Sequence, residues 1–328
     1  MASFAGSLPS LTPASHRPSV SPALQPVWLV EQTAAFETYS NGLRIDDRFT
    51  VSSRRRSYLA YSADGTGQAV SPRRASPVGI VFHTTESLEI PFEAALNTQL
   101  KRVGQSVLEF VVLHRAYHFL IDRFGRVYRV VAETDVANHA GHSVWSDGQW
   151  VYMNLNDSFL GVSFEAHTNP TASRGGTGGI GGIGINPAQV RAAAMLTEML
   201  RDRYAIAARN CITHAQVSVN PASMLAGYHT DWASGFPFEQ LGLPDNYAVP
   251  LPAIALFGFH YDEHFAGLAA SSLYPGVERG EHSLRDTAAR LHMSPEAFRQ
   301  TLQTKYRERM SAPRASMHDA DLEAAAAE

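Results

Sequence analysis

A short apolar segment, residues 78–82, is followed directly by His83. A continuous apolar run of this length is typical of a strand buried on both faces, in a sheet that is covered by helices. Such a strand delivers the side chain that follows it to an edge of the sheet. We therefore expect an α/β fold in which His83 is presented at the end of a central strand.

Two further residues could reach the same edge. His214 follows a short strand-like segment, residues 211–213, and Asp231 lies shortly beyond it. Two imidazoles and one carboxylate are typical of catalytic zinc, because three protein ligands leave a fourth position for water, whereas structural zinc is usually closed by four ligands. Spacing alone is a weak indication, since the chain has 14 histidines and no HExxH motif.

Strand and helix patterns extend this expectation over residues 78–242, which we interpret as one α/β domain. Predicted strands cover residues 78–82, 117–122, 127–131 and 160–164, and the second and third of these form a hairpin around Gly125. One helix is predicted over residues 90–102. A second is predicted from Pro187 to Tyr204, with Asn186 as its N-cap and proline in its first position.

Composition restricts the class of protein. With 328 residues, 45% of them hydrophobic, the chain can form one sizeable core with appendages. A net charge of −4 disfavours nucleic acid as a partner, and no apolar run is long enough to predict a membrane span. The single cysteine, Cys211, excludes an intrachain disulfide and a zinc site built from several thiolates.

The remaining segments have distinct compositions. We expect a disordered leader-like segment (1–26), an N-terminal extension (27–77), a linker or packed extension (243–280), a small helical pair (281–310) and a disordered tail (311–328). The basic residues 54–56 could contact anionic cell-wall polymers or form a solvated face. The glycine-rich residues 175–184 are expected to form a flexible loop. The helical pair is expected to pack on the main domain, with wall binding, partner docking and DNA binding as alternatives.

Several short motifs occur in a fixed order along the chain. They are residues 83–86 (HTTE), 117–128, 138–143, 156–163 (NDSFLGVS), His214 and residues 229–231 (HTD). This order resembles the zinc-dependent N-acetylmuramoyl-L-alanine amidases of type 2, a family that includes peptidoglycan recognition proteins and phage amidase lysozymes. The resemblance covers about residues 78–238. It implies a central mixed β-sheet flanked by helices, to which this chain adds a small C-terminal helical appendage.

The same resemblance assigns roles to individual residues. His83, His214 and Asp231 would bind one Zn²⁺ ion, and Tyr117 would assist the reacting water. His229 stands where relatives often carry a lysine that stabilises the oxyanion, so it departs from the family pattern.

One branch of the family has a glutamate as general base where this chain has Ser163. Glu165, two residues later on the same strand face, is therefore a reserve catalytic candidate.

Substrate contacts are expected from His139, Asn156 and Trp145, although Asn156 could instead orient the backbone and Trp145 could be a packing residue. The implied substrate is peptidoglycan or its muropeptides, cleaved between N-acetylmuramic acid and L-alanine.

Two alternatives stay open: a non-catalytic peptidoglycan-binding module, and a thiol hydrolase that uses Cys211 and His214. No signal peptide is visible, yet the substrate suggests the cell envelope, with the cytoplasm as the alternative. We expect a monomer.

Overall fold

Short strands and six helices make up the computed structural model, which describes residues 24–63, 72–88, 90–167, 184–261, 267 and 272–325. The strands are β1 (Leu29–Gln32), β2 (Phe36–Tyr39), β3 (Arg44–Asp46), β4 (Tyr61–Ser62), β5 (Gly79–Thr84), β6 (Phe119–Ile121), β7 (Val127–Arg129), β8 (Val144–Ser146), β9 (Trp150–Met153), β10 (Phe159–Phe164), β11 (Cys211–Thr213), β12 (Val219–Asn220), β13 (Leu225–Ala226) and β14 (His260–Tyr261). The helices are α1 (Asn97–His114), α2 (Pro187–Tyr204), α3 (His214–Val217), α4 (Pro252–Phe257), α5 (Tyr274–Arg290) and α6 (Pro295–Ala325). The predicted disorder of residues 1–26 and the glycine-rich loop lie almost entirely outside the described residues.

An eight-stranded sheet has the order β1-β2-β3-β7-β6-β10-β5-β11. Strands β6, β10, β5 and β11 run parallel, and β7 pairs antiparallel with β6. Strands β1 to β3 extend the sheet on the far side of β7, so the N-terminal extension is part of the sheet. The predicted mixed sheet is confirmed.

Helices cover both faces of this sheet, as predicted. Successive side chains of a strand point to opposite faces. In β6, Leu120 packs in a cluster with Leu108 of α1, whereas Ile121 packs in the main core with Leu196 of α2. Parallel strands require crossover connections, and α1 lies in the connection from β5 to β6 and α2 in that from β10 to β11.

Local sequence signals locate α2 and the hairpin well. The Asn186 side chain accepts hydrogen bonds from the backbone N–H groups of Ala188 and Gln189, and the helix has the predicted bounds. Gly125 adopts φ +75° at the β6–β7 turn. Helix α1 begins later and extends further than predicted, because a 3₁₀ turn (Ala94–Leu96) precedes it and its apolar face continues to Val111.

The C-terminal third also joins the core. Leu251, Ile254, Phe257 and Phe259 are buried in the main cluster, so residues 243–261 form a packed extension. The two predicted helices are present as α5 and α6. Helix α6 continues to Ala325, where we expected disorder from residue 311, and its alanine-rich sequence has high helix propensity. None of the helices in the described part of the chain is long and apolar enough to cross a membrane.

Candidate active site

Two parallel strands and one loop bring His83, His214 and Asp231 together. His83 lies near the end of β5, and His214 begins α3 directly after β11, the parallel neighbour of β5. The carboxyl ends of parallel strands meet at one edge, where α/β sheets commonly bind ligands. One nitrogen or oxygen atom from each of the three buried residues lies within 4.8 Å of the other two. The geometry therefore offers a three-ligand metal site.

Hydrogen bonds fix the loop that carries Asp231. The N–H of Ala215 in α3 donates to the carbonyl of Asp231 at 3.2 Å. The N–H of His229 donates to the Ser218 hydroxyl at 2.7 Å, just beyond α3. The carboxylate is therefore positioned by α3, the same short helix that carries His214.

The Asp231 carboxylate faces both imidazoles. Its Oδ1 lies 2.8 Å from Nδ1 of His214, and its Oδ2 lies 3.3 Å from Nδ1 of His83. Burial alone would raise the pKa of Asp231, but His214 and His83 hold it well below its usual range. Burial and the neighbouring His214 lower the pKa of His83 to about 4. At neutral pH, His83 is thus neutral and Asp231 ionised, the states that metal ligation requires.

The second nitrogen of His83 is held by another histidine. Nε2 of His83 lies 3.1 Å from Nδ1 of His139, and Nε2 of His139 lies 3.3 Å from the carbonyl oxygen of Phe159. In one arrangement of protons, Nε2–H of His83 donates to His139 and Nε2–H of His139 donates to the Phe159 carbonyl. Nδ1 of His83 is then unprotonated and faces Asp231. Partners of this kind fix the ring orientation and tautomer of metal-ligating histidines.

A glycine in β10 makes room for His139. A Cβ atom placed on Gly161 would lie 2.6 Å from Cγ of the His139 ring. Asn156 fixes the same histidine from its backbone side, since its Oδ1 accepts from the N–H groups of His139 and Ala140 at 2.8 and 2.6 Å. Sequence reasoning placed His139 against substrate and gave Asn156 either a substrate contact or a backbone-orienting role, and these contacts favour positioning roles for both residues.

Arg56 is the residue at the site that sequence reasoning missed. It is buried, and its guanidinium donates to the carbonyl oxygens of four residues distant in sequence: Glu133, Asp135, Asp157 and Phe159. The Phe159 carbonyl is the one that faces His139. Interpreting Arg56 as part of a solvated or polymer-binding face was therefore wrong. No local pattern separates it from Arg55, whose side chain is 79% exposed.

His118 connects Arg56 to strand β10. Its Nε2 lies 2.8 Å from Nη2 of Arg56, and its Nδ1 accepts from the N–H of Gly161 at 2.9 Å. Burial and the nearby guanidinium hold the pKa of His118 well below its usual range. His118 is thus a neutral structural residue.

Tyr117 lies against the ligand cluster. Its backbone is left-handed, with φ +63°, and its ring centroid is 5.0 Å from that of His83. Burial, together with the charge of Asp231, raises the pKa of the Tyr117 hydroxyl, while Ser163 acts in the opposite direction. The phenol therefore keeps its proton and can donate a hydrogen bond into the site.

His229 lies on the exposed side of the site. Its ring stacks on His214, with centroids 4.6 Å apart and planes inclined by 17°. Partial burial and the neighbouring His214 lower its pKa. The imidazole is thus available as a neutral N–H donor beside a candidate ligand.

Glu165 and Trp145 do not reach the site in the expected way. The Glu165 carboxylate accepts from the N–H of Arg123 at 3.1 Å and packs against Gly104 of α1, so its contacts are with the hairpin turn and a helix.

Trp145 is fully buried, and its indole N–H donates to Asn210 at 3.0 Å. A side chain without solvent exposure cannot stack on a sugar, so the substrate contact expected of Trp145 is wrong.

The thiol alternative also fails. Cys211 is buried inside β11, and burial raises the pKa of its thiol to about 12. A nucleophilic cysteine needs an accessible thiolate. Cys211 is therefore a core residue.

Comparison with known proteins points to one family. Residues 73–231 match the family described as N-acetylmuramoyl-L-alanine amidase. None of the curated proteins matches the chain.

Among solved structures, the chain is similar to the amidase AmiD from E. coli in complex with anhydro-N-acetylmuramic acid-L-Ala-D-gamma-Glu-L-Lys. The identity is 22%, the TM-score is 0.37, and the match covers 56% of this chain and 64% of AmiD.

It is also similar to AmpDh3 from Pseudomonas aeruginosa in complex with anhydromuramic pentapeptide, with 18% identity, a TM-score of 0.42 and coverage of 66% and 89%. For Drosophila peptidoglycan recognition protein SD the identity is 16%, the TM-score is 0.28, and the match covers 51% of this chain and 79% of that protein.

Proposed function

Residues 73–231 belong to the N-acetylmuramoyl-L-alanine amidase family, and from this premise we propose that the chain hydrolyses the amide between N-acetylmuramic acid and L-alanine in peptidoglycan or muropeptides. The observation that carries the proposal is the convergence of His83, His214 and Asp231, all buried, at one edge of the sheet. A non-catalytic binding module has no need for a complete ligand set of this kind.

The donor set fits one Zn²⁺ ion. Two imidazole nitrogens and one carboxylate oxygen match the ligands that catalytic zinc takes, and Nε2 of His83 is already held by His139. When bound there, zinc would supply a Lewis acid that activates water and polarises the scissile carbonyl. Asp231 would leave the occupied site with a net charge of about +1.

The chain's own residues supply the remaining functions. Tyr117 keeps its hydroxyl proton and would donate it in a hydrogen bond to the oxygen of the scissile carbonyl as charge develops there. His229, exposed beside His214, would add a second donor from the solvent side. The buried network of Arg56, His118 and His139 would hold His83 in place as substrate enters.

We further propose that the protein acts at the cell envelope as a monomer. The substrate polymer lies in the envelope. All three candidate ligands come from one chain, so no second copy is needed to complete the site.

Digestion of purified peptidoglycan tests this function. Mass spectrometry of the products should show free lactyl carboxyl groups on muramic acid together with free L-alanine amino termini. Chelation of metal should stop their formation, and added zinc should restore it. Products cleaved only within the glycan or between stem-peptide residues would contradict the proposal.

A further inference from the structure

A cavity of about 390 Å³ is lined in part by Gly141 and His142, which follow His139 closely in the chain. Its volume is within the range of small-ligand pockets. Its polar lining includes Arg54, Arg73, His142, Asp157 and Arg309. His142 follows His139 by three residues, and its carbonyl accepts from the N–H of Val219 at 2.9 Å, next to Ser218, whose hydroxyl accepts from the N–H of His229. The cavity therefore adjoins the place where substrate would react.

Arg309 is buried in the wall of this cavity without a full set of partners. It is 7% exposed, and among the described residues its Nε and Nη2 have no hydrogen-bond partner. Its guanidinium lies between two rings, 5.1 Å from the centroid of Tyr61 and 5.5 Å from that of Phe257. Aromatic faces orient the cation but do not use its N–H donors, and a buried unpaired charge is costly.

The charge of the lining is positive. Asp157 is paired with Arg54, and it also accepts from Asn154 at 2.9 Å. Arg73 contacts the Ser57 hydroxyl at 3.4 Å. In the described parts of the chain, no carboxylate lies within ion-pair distance of Arg73 or Arg309. An oxyanion in the cavity would supply what both guanidinium groups lack.

We propose that this cavity binds a carboxylate of the substrate's stem peptide through Arg309 and Arg73, and so determines which muropeptides the enzyme prefers. This inference rests on the proposed function, because that function defines the substrate as a peptide rich in carboxylates. Arg54 and Arg309 lie outside residues 73–231, so part of the subsite is built by segments that this chain adds to its family domain.

Equilibrium binding tests the inference without depending on hydrolysis. Calorimetry on metal-free protein would compare two muramoyl peptides that differ only in whether one stem-peptide carboxylate is free or amidated. We expect wild type to bind the free acid about tenfold or more tightly, as for a charge-assisted hydrogen-bonded pair. Arg309→Met should remove this preference, and Arg309→Lys should keep part of it.

Two variants control for folding and for general charge. Arg307→Met changes an exposed arginine of the same helix and should keep the full preference. Arg73→Gln changes an exposed residue, so it should fold even if Arg309→Met does not, and it should reduce the preference. Equal losses for both peptides, or the same loss in Arg307→Met, would overturn the inference.

Inorganic phosphate distinguishes a substrate carboxylate from a free anion. If phosphate competes with the free-acid peptide but not with the amidated peptide, the result supports the subsite. Phosphate binding that depends on Arg309, without any effect of amidation, would show a free-anion site and overturn the substrate assignment. If muramoyl amides are not hydrolysed but the preference is present, the proposed function fails alone. If they are hydrolysed without any preference, the inference fails alone.

Discussion

Histidines at four positions differ in role because burial and neighbours differ. His83 faces Asp231 with one nitrogen and His139 with the other. His118 accepts from a strand N–H and contacts a buried cation, whereas His229 stacks on a candidate ligand from the exposed side. The side chain is the same in each case, so residue type alone could not assign these roles.

Tyr117 provides the clearest prediction for a single side chain. Tyr117→Phe removes the hydroxyl but keeps the ring beside His83, so zinc binding should be unchanged. Loss of one oxyanion donor should lower kcat by roughly 10²-fold. Steady-state kinetics combined with metal analysis checks both expectations.

Glu165→Gln is the comparison for Tyr117→Phe. Its carboxylate contacts the hairpin turn, so turnover should be close to that of wild type. Full turnover in Tyr117→Phe, together with loss of turnover in Glu165→Gln, would reverse the two assignments.

One face of strand β10 carries residues that lie next to the candidate ligands. Gly161 leaves space for His139, and Ser163 lies in register with His83 of β5. Because side chains alternate, Val162 and Phe164 point into the main core instead. The strand thus holds the core on one face and the site on the other.

Gly161→Ala tests this arrangement. The added methyl would displace the His139 ring and loosen its contact with Nε2 of His83. Changes in such supporting contacts typically cost about 10–100-fold in metal affinity. Gly141→Ala is a matched control, because its Cβ would meet Asn156 only at 3.4 Å. Zinc titration that gives equal dissociation constants for both variants and wild type would show that His139 does not support His83.

Arg56, in the N-terminal extension, also supports the site, through its contacts with His118 and the Phe159 carbonyl. Arg56→Met leaves several buried carbonyl groups without their donor, and each such loss costs about 1–3 kcal/mol. We expect a fall of about 3 kcal/mol or more in the free energy of unfolding, with weaker zinc binding. Arg55→Met, next in the chain but exposed, removes one ion pair with Asp135, so it should lower the free energy of unfolding by at most about 1 kcal/mol and leave zinc binding unchanged. Denaturant unfolding that gives equal stabilities for the two variants would contradict the buried role of Arg56.

For the molecule as a whole, sequence predicts what depends on local patterns. The apolar run before His83 and the capping residues of α2 are local signals, and they predicted a sheet edge and a helix correctly. The partners of Arg56 and the burial of Trp145 depend on contacts between residues far apart in the chain, so no local pattern could reveal them. The three candidate ligands were predicted because an order of motifs that resembles a known family links distant positions, and the structure brings these residues together.

Burial of His118 makes stability depend on pH. Its folded pKa lies well below 6.5, so as pH falls through 6.5 the unfolded chain takes up a proton that the native state does not. Below about pH 6.5, this group alone therefore lowers the free energy of unfolding of wild type by about 1.4 kcal/mol for each pH unit. His118→Asn lacks this contribution, so its destabilisation relative to wild type should shrink as pH falls.

Unfolding of metal-free protein between about pH 7.5 and pH 5.5 measures this change, since the range spans the ordinary histidine pKa. His292→Asn makes the same substitution at an exposed histidine and controls for the change of side chain itself. A His118→Asn difference that stays constant with pH would show that His118 takes up protons equally in both states.

Zinc content of the ligand variants tests the account most directly. Purified wild type, stripped of metal and reloaded, should bind one zinc ion per chain and hydrolyse the muramoyl–L-alanine amide. His83→Ala, His214→Ala and Asp231→Ala should each keep their circular dichroism spectrum but lose zinc and hydrolysis together. Full zinc content and full activity in any one of the three would contradict the assignment of the site.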